Sequence, residues 1–453
     1  MIQVNDMSLK LFGTDGIRGP VGGEVINPEN ALKLGWAIGM VFNKINPGGA
    51  ILIGKDTRIS GYMLESALQS GLTAAGMDIG LLGPMPTPAI AYLTATLRAA
   101  AGIVISASHN PFMDNGIKIF DANGLKISDD IAKQITQQFQ APLKVTTSPL
   151  IGRAKRHTSA PARYIERCKS RFTGNENGLS TLHIVLDCAN GANYHVAPCV
   201  FRELGATVTI LNNQPNGYNI NERCGALHPQ LLAQKVIAEQ ADCGIAFDGD
   251  GDRVIMVDHT GQICDGDHLL YLIAHHQHQH HQLSGGVVGT HMTNGAVAVA
   301  LEKLNIPFER VAVGDRHVMA RLIKLGWHLG GEPSGHLIDL NKAQSGDGII
   351  AALQVLMVMI EEAASLHTLT ATLPKHPQTL INLVRPHHFE LEMHTDALKN
   401  LEQQAQKQLS DNGRILIRPS GTEALVRILV EDHDPIIVER VAKHLAQGIE
   451  TLF

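Results

Sequence analysis

Charged residues are scarce in this chain of 453 residues, and no part of it is strongly basic. Lysine and arginine number 37 against 43 aspartates and glutamates, so the formal net charge is −6. Charged residues make up 18% of the chain, whereas about 25% is usual. A mildly acidic chain without a basic run lacks the electrostatic pattern of a general nucleic-acid binder. We therefore expect no nucleic-acid partner.

Cysteine motifs and long apolar runs are also missing. The six cysteines lie at positions 168, 188, 199, 224, 243 and 264, and none forms a C-x-x-C pair. Short metal and redox motifs are therefore absent, and we expect reduced core thiols in a cytoplasmic protein. The segment Met1–Phe12 includes Asp6 and Lys10 and does not have the pattern of a signal peptide. The longest apolar run, Ile349–Ile360, is too short to cross a bilayer, so we expect a buried helix and no membrane partner.

Glycine and apolar residues, in contrast, are plentiful. The chain contains 44 glycines, and 44% of its residues are hydrophobic although only 4% are aromatic. This apolar content supplies a sizeable core. Glycine-rich turns between apolar strands are typical of α/β proteins that bind phosphate groups.

One pattern of strand, glycine-containing polar loop, helix and second strand recurs three times. The first strands are expected at Ala50–Ile53, His183–Leu186 and Gly286–Val288. Their partners are expected at Ile79–Leu82, Ala206–Ile210 and Phe308–Val313. Each βαβ unit implies parallel strands with the helix packed outside. The pattern predicts an α/β fold with three successive mixed domains.

Proline and turn residues indicate where these domains end. A polar, proline-containing stretch spans 141–161, a turn follows the strand Val254–Asp258, and Pro374 and Pro377 mark a third joint. We predict domains at 1–155, 156–260, 261–373 and 374–453, the last being a smaller α+β domain. Five histidines fall within 275–281 and could bind a metal adventitiously, but a solvated helix end is the favoured interpretation.

The strongest local signal is DGDGDR at 248–253, which follows an apolar strand. Its glycines allow a tight turn, so Asp248, Asp250 and Asp252 can converge on one hard cation. A calcium-binding EF-hand is excluded, because Arg253 and His259 occupy the positions where it needs glycine and glutamate. Three carboxylates leave the coordination shell incomplete, which suits magnesium completed by a phosphate. The alternative is a plain Asp/Gly turn.

A candidate nucleophile lies in SASHNP at 106–111, after the strand Gly102–Ile105. Ser108 has His109 beside it, and Lys118 follows ten residues later. Ser106 is a competitor, but side-chain alternation turns it toward the strand face. Taken alone, the same residues also fit an ordinary turn.

Two further motifs contain the residues of a phosphate site. FGTDGIRG at 12–19 has glycines that expose backbone N–H groups, and Arg18 could clamp a phosphoryl oxygen, although no Walker-type ending follows. RPSGTE at 418–423 places Arg418 and two hydroxyls beside a glycine amide, with Arg427 beyond. The arginine favours phosphate binding over a plain β-turn.

The composition of GEPSGH at 331–336 suits a sugar-binding loop. Glu332 and Ser334 are two residues apart, so an extended loop turns both side chains the same way, toward vicinal hydroxyls. A turn with a solvated glutamate is the alternative.

Together these motifs resemble the α-D-phosphohexomutase superfamily over essentially the full chain. SASHNP, DGDGDR, GEPSGH and RPSGTE occur in the order of that superfamily and at similar separations. Other segments resemble the branch that acts on glucosamine phosphates, namely FGTDGIRG, DCANGA at 187–192, VGDRHVM at 313–319 and GDGIIAALQVL at 346–356. Two positions depart from the pattern. Pro333 replaces an expected amide side chain and stiffens its loop, and Ala424 replaces a usual proline.

The resemblance implies four domains around a central cleft, each contributing one motif. It also implies that Ser108 carries a phosphoryl group and that Mg²⁺ is held by this group and by Asp248, Asp250 and Asp252. The implied reaction converts glucosamine 6-phosphate to glucosamine 1-phosphate through a bisphosphorylated sugar, for UDP-N-acetylglucosamine and cell-wall precursors. A bisphosphorylated hexosamine or glucose is expected as activator. A homodimer is implied by the resemblance alone.

The same resemblance gives roles to the other motif residues. The sugar would be held by Glu332, Ser334 and His336. The phosphate that is not reacting would be held by Arg418, Ser420, Gly421, Thr422 and Arg427. The candidates for proton transfer or charge stabilisation near Ser108 are Lys118, Arg18, His109 and Arg253. Of these, Lys118 is the candidate general base.

Three alternatives fit parts of the pattern. A sibling mutase acting on mannose or glucose phosphates would carry the same motifs. A magnesium-dependent phosphohydrolase would use Ser108 and the aspartates but leave the loops at 331–336 and 418–423 without a role. A non-catalytic sugar-phosphate binder would leave three convergent aspartates unused.

Overall fold

Four β-sheets follow one another in a computed structural model that describes residues 11–13, 16–174, 177–386, 395–419 and 425–453. The strands of the first sheet are β1 Ile17–Pro20, β2 Ala50–Lys55, β3 Asp78–Pro84, β4 Ala101–Ile105, β5 Asp114–Asp121 and β6 Ala154–Arg156. Their spatial order is β1-β5-β4-β2-β3-β6. Strand β2 is parallel to β3 and β4, whereas β5 is antiparallel to β4 and β1, so the sheet is mixed.

Four helices accompany this sheet: α1 Pro28–Ile45, α2 Ser60–Ala74, α3 Thr87–Thr96 and α4 Asp129–Gln140. Helix α1 begins after Asn27, whose side chain accepts a hydrogen bond from the Asn30 N–H at 2.8 Å. Glycine allows α1 and α2 to approach closely, because a Cβ at Gly35 would lie 2.4 Å from the carbonyl oxygen of Leu68.

The second sheet contains the aspartate turn. Its strands are β7 His183–Asp187, β8 Thr207–Leu211, β9 Cys243–Phe247, β10 Val254–Asp258 and β11 Ile263–Cys264, in the spatial order β11-β10-β9-β7-β8. Its helices are α5 Ala160–Lys169, α6 Val196–Glu203 and α7 Gln230–Glu239. Strand β7 is parallel to β8 and β9, and β10 turns back antiparallel to β9.

The third sheet is smaller and is packed by more helices. Its strands are β12 Val287–Thr290, β13 Phe308–Val311, β14 Leu329–Gly331 and β15 Leu337–Asp339, in the spatial order β13-β12-β14-β15. The helices are α8 Gly266–Gln279, α9 Gly295–Lys303, α10 Asp315–Leu325, α11 Gly348–Glu361 and α12 Leu366–Thr370. Helix α11 contains the longest apolar run, and its residues 348–359 are all buried, as predicted.

The fourth sheet is antiparallel throughout. It consists of β16 Gln378–Val384, β17 Arg414–Pro419 and β18 Leu425–Glu431, in the order β16-β18-β17, with helices α13 Thr395–Gln406 and α14 Pro435–Glu450. Strands of six or seven residues combine here with two helices in the predicted α+β pattern. The three predicted βαβ units are also confirmed, because β2–β3, β7–β8 and β12–β13 are parallel pairs.

Apolar packing separates the last unit from the other three. The largest cluster of buried apolar side chains combines residues of the first three sheets and their helices. The fourth unit has its own apolar cluster, formed within residues 381–453. The first three units therefore share core contacts, and the fourth has an apolar core of its own.

The histidine tract at 275–281 differs from its predicted state. Within it, His276 and Gln277 are buried because α8 packs against α11, so a solvated helix end is wrong for these two residues. The six cysteines are free, and all but Cys199 are buried. Within the described ranges, every helix is too short or too polar to cross a membrane.

Candidate active site

Ser108 lies just beyond strand β4 in a backbone conformation that few side chains adopt. Its φ is +52°, in the left-handed region, and its side chain is buried. The Ser108 N–H donates a hydrogen bond to Ser106 Oγ at 2.8 Å, and Ser106 Oγ donates to Asp56 Oδ2 at 2.6 Å. Ser106 is therefore engaged in fixing the backbone. Ser108, and not its competitor, presents its hydroxyl to the aspartate turn.

The serine loop is held by Arg58, a residue without any motif signal. Arg58 is fully buried, and its Nε donates to Asp56 Oδ2 at 2.8 Å. Its terminal nitrogens donate to the backbone carbonyls of Ser108, Asn110, Pro111 and Asp114. A planar fork of donors suits this arrangement, which a lysine could not reproduce. The only sequence signal for Arg58 is its place in the polar loop after β2.

A second clamp comes from the next unit of the chain. Asn221 Nδ2 donates to the carbonyl oxygens of Ser108 at 2.9 Å and Asn110 at 3.1 Å. Gly249 of the aspartate turn also lies close, because a Cβ there would be 2.6 Å from the Ser108 carbonyl oxygen. The serine loop is thus fixed by contacts from two sheets.

The aspartate turn connects β9 to β10 and faces Ser108. The Ser108 hydroxyl donates to Asp248 Oδ2 at 2.7 Å. One carboxylate oxygen from each of Asp248, Asp250 and Asp252 lies within 4.8 Å of the others, and all three residues are buried. We call these three residues the aspartate cluster. The predicted nucleophile and the predicted metal ligands therefore lie side by side.

The DCANGA segment at 187–192 contacts the backbone of the aspartate turn. The Ala192 N–H donates to the Gly249 carbonyl oxygen at 2.8 Å, and a Cβ at Gly191 would lie 2.4 Å from that same oxygen. Asp187 is buried and accepts hydrogen bonds from the N–H groups of Ala189 and Gly225, both at 2.9 Å. The segment shapes the backbone beneath the aspartate cluster.

The charges of the aspartate cluster fit a cation. Burial and then the charges of Asp252 and Asp250 raise the pKa of Asp248 well above its usual range. Burial also opposes ionisation of Asp252, but Lys118 and His336 outweigh it and hold its pKa well below the usual range. Asp250 Oδ1 and Asp252 Oδ1 are buried and accept no hydrogen bond from any residue that the structure describes. Such oxygens suit a hard divalent cation.

Lys118 extends from strand β5 into the same cluster. Its Nζ lies 2.8 Å from Asp250 Oδ2 and 3.4 Å from Asp252 Oδ2, and the lysine is buried. Thr87, at the start of α3, donates its hydroxyl to Asp250 Oδ2 at 2.6 Å. Thr87 carries no sequence signal, since no motif surrounds it. The ammonium group of Lys118 offsets part of the negative charge of the cluster.

His109 is held neutral beside the serine. Its Nδ1 lies 3.4 Å from Ser108 Oγ. Burial, and then the charges of Arg253 and Arg18, lower the pKa of His109 to about 4. For Arg253 itself, burial works against the charged form, but Asp248 and its neighbouring aspartates raise the pKa above its usual value. Both arginines thus contribute positive charge near the nucleophile.

The loop at 331–336, for which sugar binding is predicted and which we call the sugar loop, buries Glu332 but leaves Ser334 partly exposed. Glu332 is buried, and its Oε1 accepts a hydrogen bond from the Gly314 N–H at 2.9 Å. Gly314 has a φ of +122° at the start of α10, within the VGDRHVM segment. Ser334 is partly exposed. The solvated glutamate of the alternative interpretation is therefore wrong.

His336 connects the sugar loop to the aspartate cluster. Its Nδ1 lies 3.6 Å from Asp252 Oδ1, and its Nε2 lies 3.7 Å from Asp315 Oδ2. Burial disfavours the charged imidazole, but the two carboxylates outweigh it and raise the pKa of His336 to about 9. The two carboxylates therefore favour the charged form of His336.

Two arginines of the fourth sheet complete the described part of the site. Arg418 on β17 is directly opposite Arg427 on β18. Burial and then the charge of Arg427 lower the pKa of Arg418. The charge of Glu332 acts in the opposite direction, so Arg418 interacts electrostatically with the loop at 331–336. Ser420, Gly421 and Thr422 lie outside the described residues.

Four models of one protein family match most of the chain. Residues 9–145, 162–261 and 265–376 match alpha/beta/alpha domains I, II and III of phosphoglucomutase/phosphomannomutase. Residues 380–448 match the C-terminal domain of the same family. The predicted succession of three mixed α/β domains and a smaller C-terminal domain is confirmed.

Relatives of known activity match over nearly the whole length. A phosphoglucosamine mutase of Photorhabdus laumondii is 52% identical over 97% of this chain and 98% of its own. One of Legionella pneumophila is 53% identical over 98% of this chain and 97% of its own.

Solved structures show the same fold. A phosphoglucomutase/phosphomannomutase family protein of Burkholderia thailandensis superimposes with a TM-score of 0.81, 24% identity and 97% coverage of both chains. The N-acetylphosphoglucosamine mutase of Aspergillus fumigatus, solved in complex with GlcNAc-6P and magnesium, gives a TM-score of 0.67 at 16% identity. It covers 97% of this chain and 95% of its own.

Proposed function

The chain belongs to the phosphoglucosamine mutase branch of the phosphoglucomutase/phosphomannomutase family, and we propose that its cleft interconverts glucosamine 6-phosphate and glucosamine 1-phosphate. One observation carries this proposal: the Ser108 hydroxyl donates to Asp248 at 2.7 Å inside a buried cluster of three carboxylates. The product would feed the synthesis of UDP-N-acetylglucosamine and cell-wall precursors.

Formal charges support joint binding of a phosphoryl group and a divalent cation. When all three of its carboxylates are ionised, the aspartate cluster carries three negative charges, and three cationic side chains lie against it: Lys118, Arg253 and His336. The cluster is therefore close to neutral. A phosphoryl dianion on Ser108 adds about two negative charges, which one divalent cation cancels.

We assign the metal ligands accordingly. Mg²⁺ would be held by Asp248, Asp250, Asp252 and the phosphoryl group on Ser108. Bound there, it supplies neutralisation of the charge on the phosphoryl group. All the protein donors are oxygens, as Mg²⁺ requires.

The protein supplies the position of the nucleophile. Arg58 and Asn221 both donate hydrogen bonds to the Ser108 carbonyl oxygen, and Ser106 Oγ accepts a hydrogen bond from the Ser108 N–H. With the backbone so fixed, the Ser108 side chain keeps one direction, toward the aspartate cluster. Such pre-organisation removes an entropic cost from the transfer step.

In the transfer, a hydroxyl oxygen at C1 or C6 of the sugar attacks the phosphorus carried by Ser108. A bond from phosphorus to the sugar oxygen forms, and the bond from phosphorus to Ser108 Oγ breaks. The proton of the sugar hydroxyl passes to a general base, for which Lys118 is the candidate, and then returns to Oγ. As the ammonium group that pairs with Asp250 and Asp252, Lys118 cannot accept a proton. It would act as the base only after releasing its own proton to solvent, which requires that another cation occupies the two carboxylates.

Charge near Ser108 would be balanced by the remaining residues. Arg18 and Arg253 stabilise the negative charge of the phosphoryl oxygens. His109, neutral beside Ser108 Oγ, can donate or accept a hydrogen bond there without adding charge.

The bisphosphorylated intermediate must present either phosphate to Ser108, so the rest of the cleft must accept two orientations. We assign Glu332, Ser334 and His336 to the sugar hydroxyls. One oxygen of Glu332 is engaged by the Gly314 N–H, which leaves the other for the sugar. Pro333 between them stiffens the loop. The distal phosphate would be held by Arg418, Ser420, Gly421, Thr422 and Arg427.

A bisphosphorylated hexosamine or glucose would prime Ser108 and restore any enzyme that loses its intermediate. We place the reaction in the cytoplasm, where the substrate, a charged sugar phosphate, is made and used. A homodimer is proposed from family resemblance alone.

Mass spectrometry and a specificity assay test the proposed function together. Protein incubated with glucose 1,6-bisphosphate should gain one phosphoryl group on the Ser108 peptide, and Ser108→Ala should not. Glucosamine 6-phosphate should then yield glucosamine 1-phosphate faster than glucose or mannose phosphates are interconverted. Release of free phosphate without isomer would indicate a phosphohydrolase, and a preference for glucose 1-phosphate would indicate a sibling mutase.

A further inference from the structure

A second group of metal-ligating side chains lies where helices α8 and α11 end. His276 and His280 are one helical turn apart at the end of α8, and Glu361 is the last residue of α11. His276 Nε2 lies 2.8 Å from Glu361 Oε2, and the two imidazole rings have centroids 4.3 Å apart. One ligand atom from each residue lies within 4.8 Å of the others.

We propose that these three residues, which we call the histidine cluster, bind a transition-metal dication such as Zn²⁺ or Ni²⁺. Two imidazole nitrogens and one carboxylate oxygen are donors that these ions prefer, and a water can complete a tetrahedral shell. Mg²⁺ is a poor fit, because it requires oxygen donors in octahedral geometry. The donor set thus separates this site chemically from the aspartate cluster.

The cluster is partly pre-formed. His276 is buried and already points its Nε2 at Glu361, so one side of the site is fixed. His280 and Glu361 are exposed and can adjust. Ligand atoms of tetrahedral zinc lie about 3.3 Å apart when the bonds are about 2.0 Å long. Closing the shell therefore requires rotation of the two exposed side chains.

His275 and His278 of the tract do not belong to the site. His275 stacks on Tyr271, with ring centroids 5.7 Å apart and an interplanar angle of 10°. His278 is exposed and lies outside the three-residue cluster. It sits on the same helix, two residues from both ligands, and therefore serves as a matched control.

Binding at this place would join two helices whose opposite ends contact the active-site loops. The first N–H of α8, at Gly266, donates to the Pro333 carbonyl oxygen at 3.1 Å. The first N–H of α11, at Gly348, donates to the Gly251 carbonyl oxygen at 3.1 Å. A metal bound at the far ends would hold together two helices that also support the sugar loop and the aspartate turn.

Calorimetric titration of the untagged, full-length protein with Zn²⁺ tests the proposal. Saturating Mg²⁺ is present throughout to occupy the aspartate cluster. We expect one zinc site with a Kd in the micromolar range or below. Each of the variants His280→Ala and Glu361→Gln should weaken the binding at least about tenfold, since each removes one of three ligands. The exposed control, His278→Ala, should bind zinc within about twofold of the unsubstituted protein.

Two results would overturn the proposal. One is the absence of zinc binding, or binding unchanged by His280→Ala and Glu361→Gln. The other is an equal loss in His278→Ala, which would show adventitious binding along the exposed tract. Circular dichroism without metal verifies that the variants fold. A Cu²⁺ electron paramagnetic resonance spectrum with couplings to two nitrogens, reduced to one nitrogen in His280→Ala, identifies the donors independently.

Discussion

We propose a divalent ion for both the aspartate cluster and the histidine cluster, but the two clusters differ in burial, charge and donor atoms. The aspartate cluster is wholly buried and offers only oxygens. The histidine cluster offers two nitrogens and one oxygen, and two of its three residues are exposed. The first is surrounded by charged side chains, whereas the second contains one formal charge when its imidazoles are neutral.

This difference indicates which ion each cluster needs and how strongly it needs one. Buried like charges are costly, so the aspartate cluster needs the cationic side chains of Lys118, Arg253 and His336, and we propose a metal in addition. The histidine cluster is stable without an ion, because His276 and Glu361 already satisfy each other by a hydrogen bond. We expect the aspartate cluster to be required for turnover, and the histidine cluster to bind an ion without being required.

Removing one oxygen ligand should have the largest effect. Asp250→Asn is expected to lower the mutase kcat about 10³-fold, because the cluster loses both a charge and a metal ligand at the reacting phosphoryl group. Steady-state assay with coupled detection of glucosamine 1-phosphate measures this. The control His278→Ala, exposed beside the other cluster, should keep the original kcat. If the kcat of Asp250→Asn stayed within about tenfold of that of the unsubstituted protein, the aspartate cluster would not be required for turnover as we expect.

Without divalent ions, replacing Asp250 and replacing Asp248 should change the unfolding free energy by different amounts. Asp250→Asn removes the closer carboxylate of the buried Lys118 and the charge that Thr87 bonds, so it should cost about 3 kcal/mol of unfolding free energy. Asp248→Asn relieves repulsion and should cost less than about 1 kcal/mol. Urea denaturation in EDTA compares the two variants. Equal losses would show that the charge of Asp248 is not costly.

A third prediction concerns Asp347, which caps α11, the helix that connects the two clusters. Burial raises the pKa of Asp347 from 3.8 to about 6. A carboxyl whose folded pKa is raised stabilises the fold when protonated, so its contribution is largest below pH 3.8 and is lost as the pH rises to about 6.

Asp347→Asn keeps the helix cap and removes this titration. Relative to Asp347→Asn, the unsubstituted protein should lose about 2 kcal/mol of unfolding free energy between about pH 4 and pH 7. Urea denaturation at each pH gives the difference. Parallel pH profiles for the two proteins would contradict the prediction.

The smallest effect concerns the clamp on the nucleophile. Asn221→Ala should cost about 1 kcal/mol in stability and lower kcat about fivefold, because Arg58 still holds the Ser108 carbonyl oxygen. Asn212→Ala is the matched control. It removes a hydrogen bond to the buried Asp187 at 3.0 Å, and it should cost similar stability without lowering kcat. Equal effects on kcat would show that Asn221 acts only on stability.

The sequence predicted features that depend on short segments and missed those that depend on tertiary packing. The βαβ units and the aspartate turn could be predicted, because periodicity and spacing lie within short segments. The roles of Arg58 and Asn221 could not be predicted. Each side chain comes from a distant segment and donates to a backbone carbonyl of the serine loop, and every residue has such a carbonyl. The left-handed backbone of Ser108 was equally invisible, since serine has no special preference for it.

Burial was the other quantity that sequence could not supply. The histidine tract was polar enough to predict a solvated helix end, yet His276 faces α11 and is buried. The partner of His276, Glu361, lies 85 residues away and has no motif around it. Likewise, only the fold shows that Glu332 is engaged by the Gly314 N–H and that His336 lies between two carboxylates.

The length of helix α11 sets the distance between the aspartate turn and the histidine cluster. Its 14 residues run from the Gly251 contact at Gly348 to the histidine cluster at Glu361, a length of about 20 Å at the usual helical rise. With Mn²⁺ in the aspartate cluster and Cu²⁺ in the histidine cluster, two electron spins would be separated by one buried helix. Dipolar spectroscopy between them would report motion of the aspartate turn during turnover on native side chains alone, without attached labels.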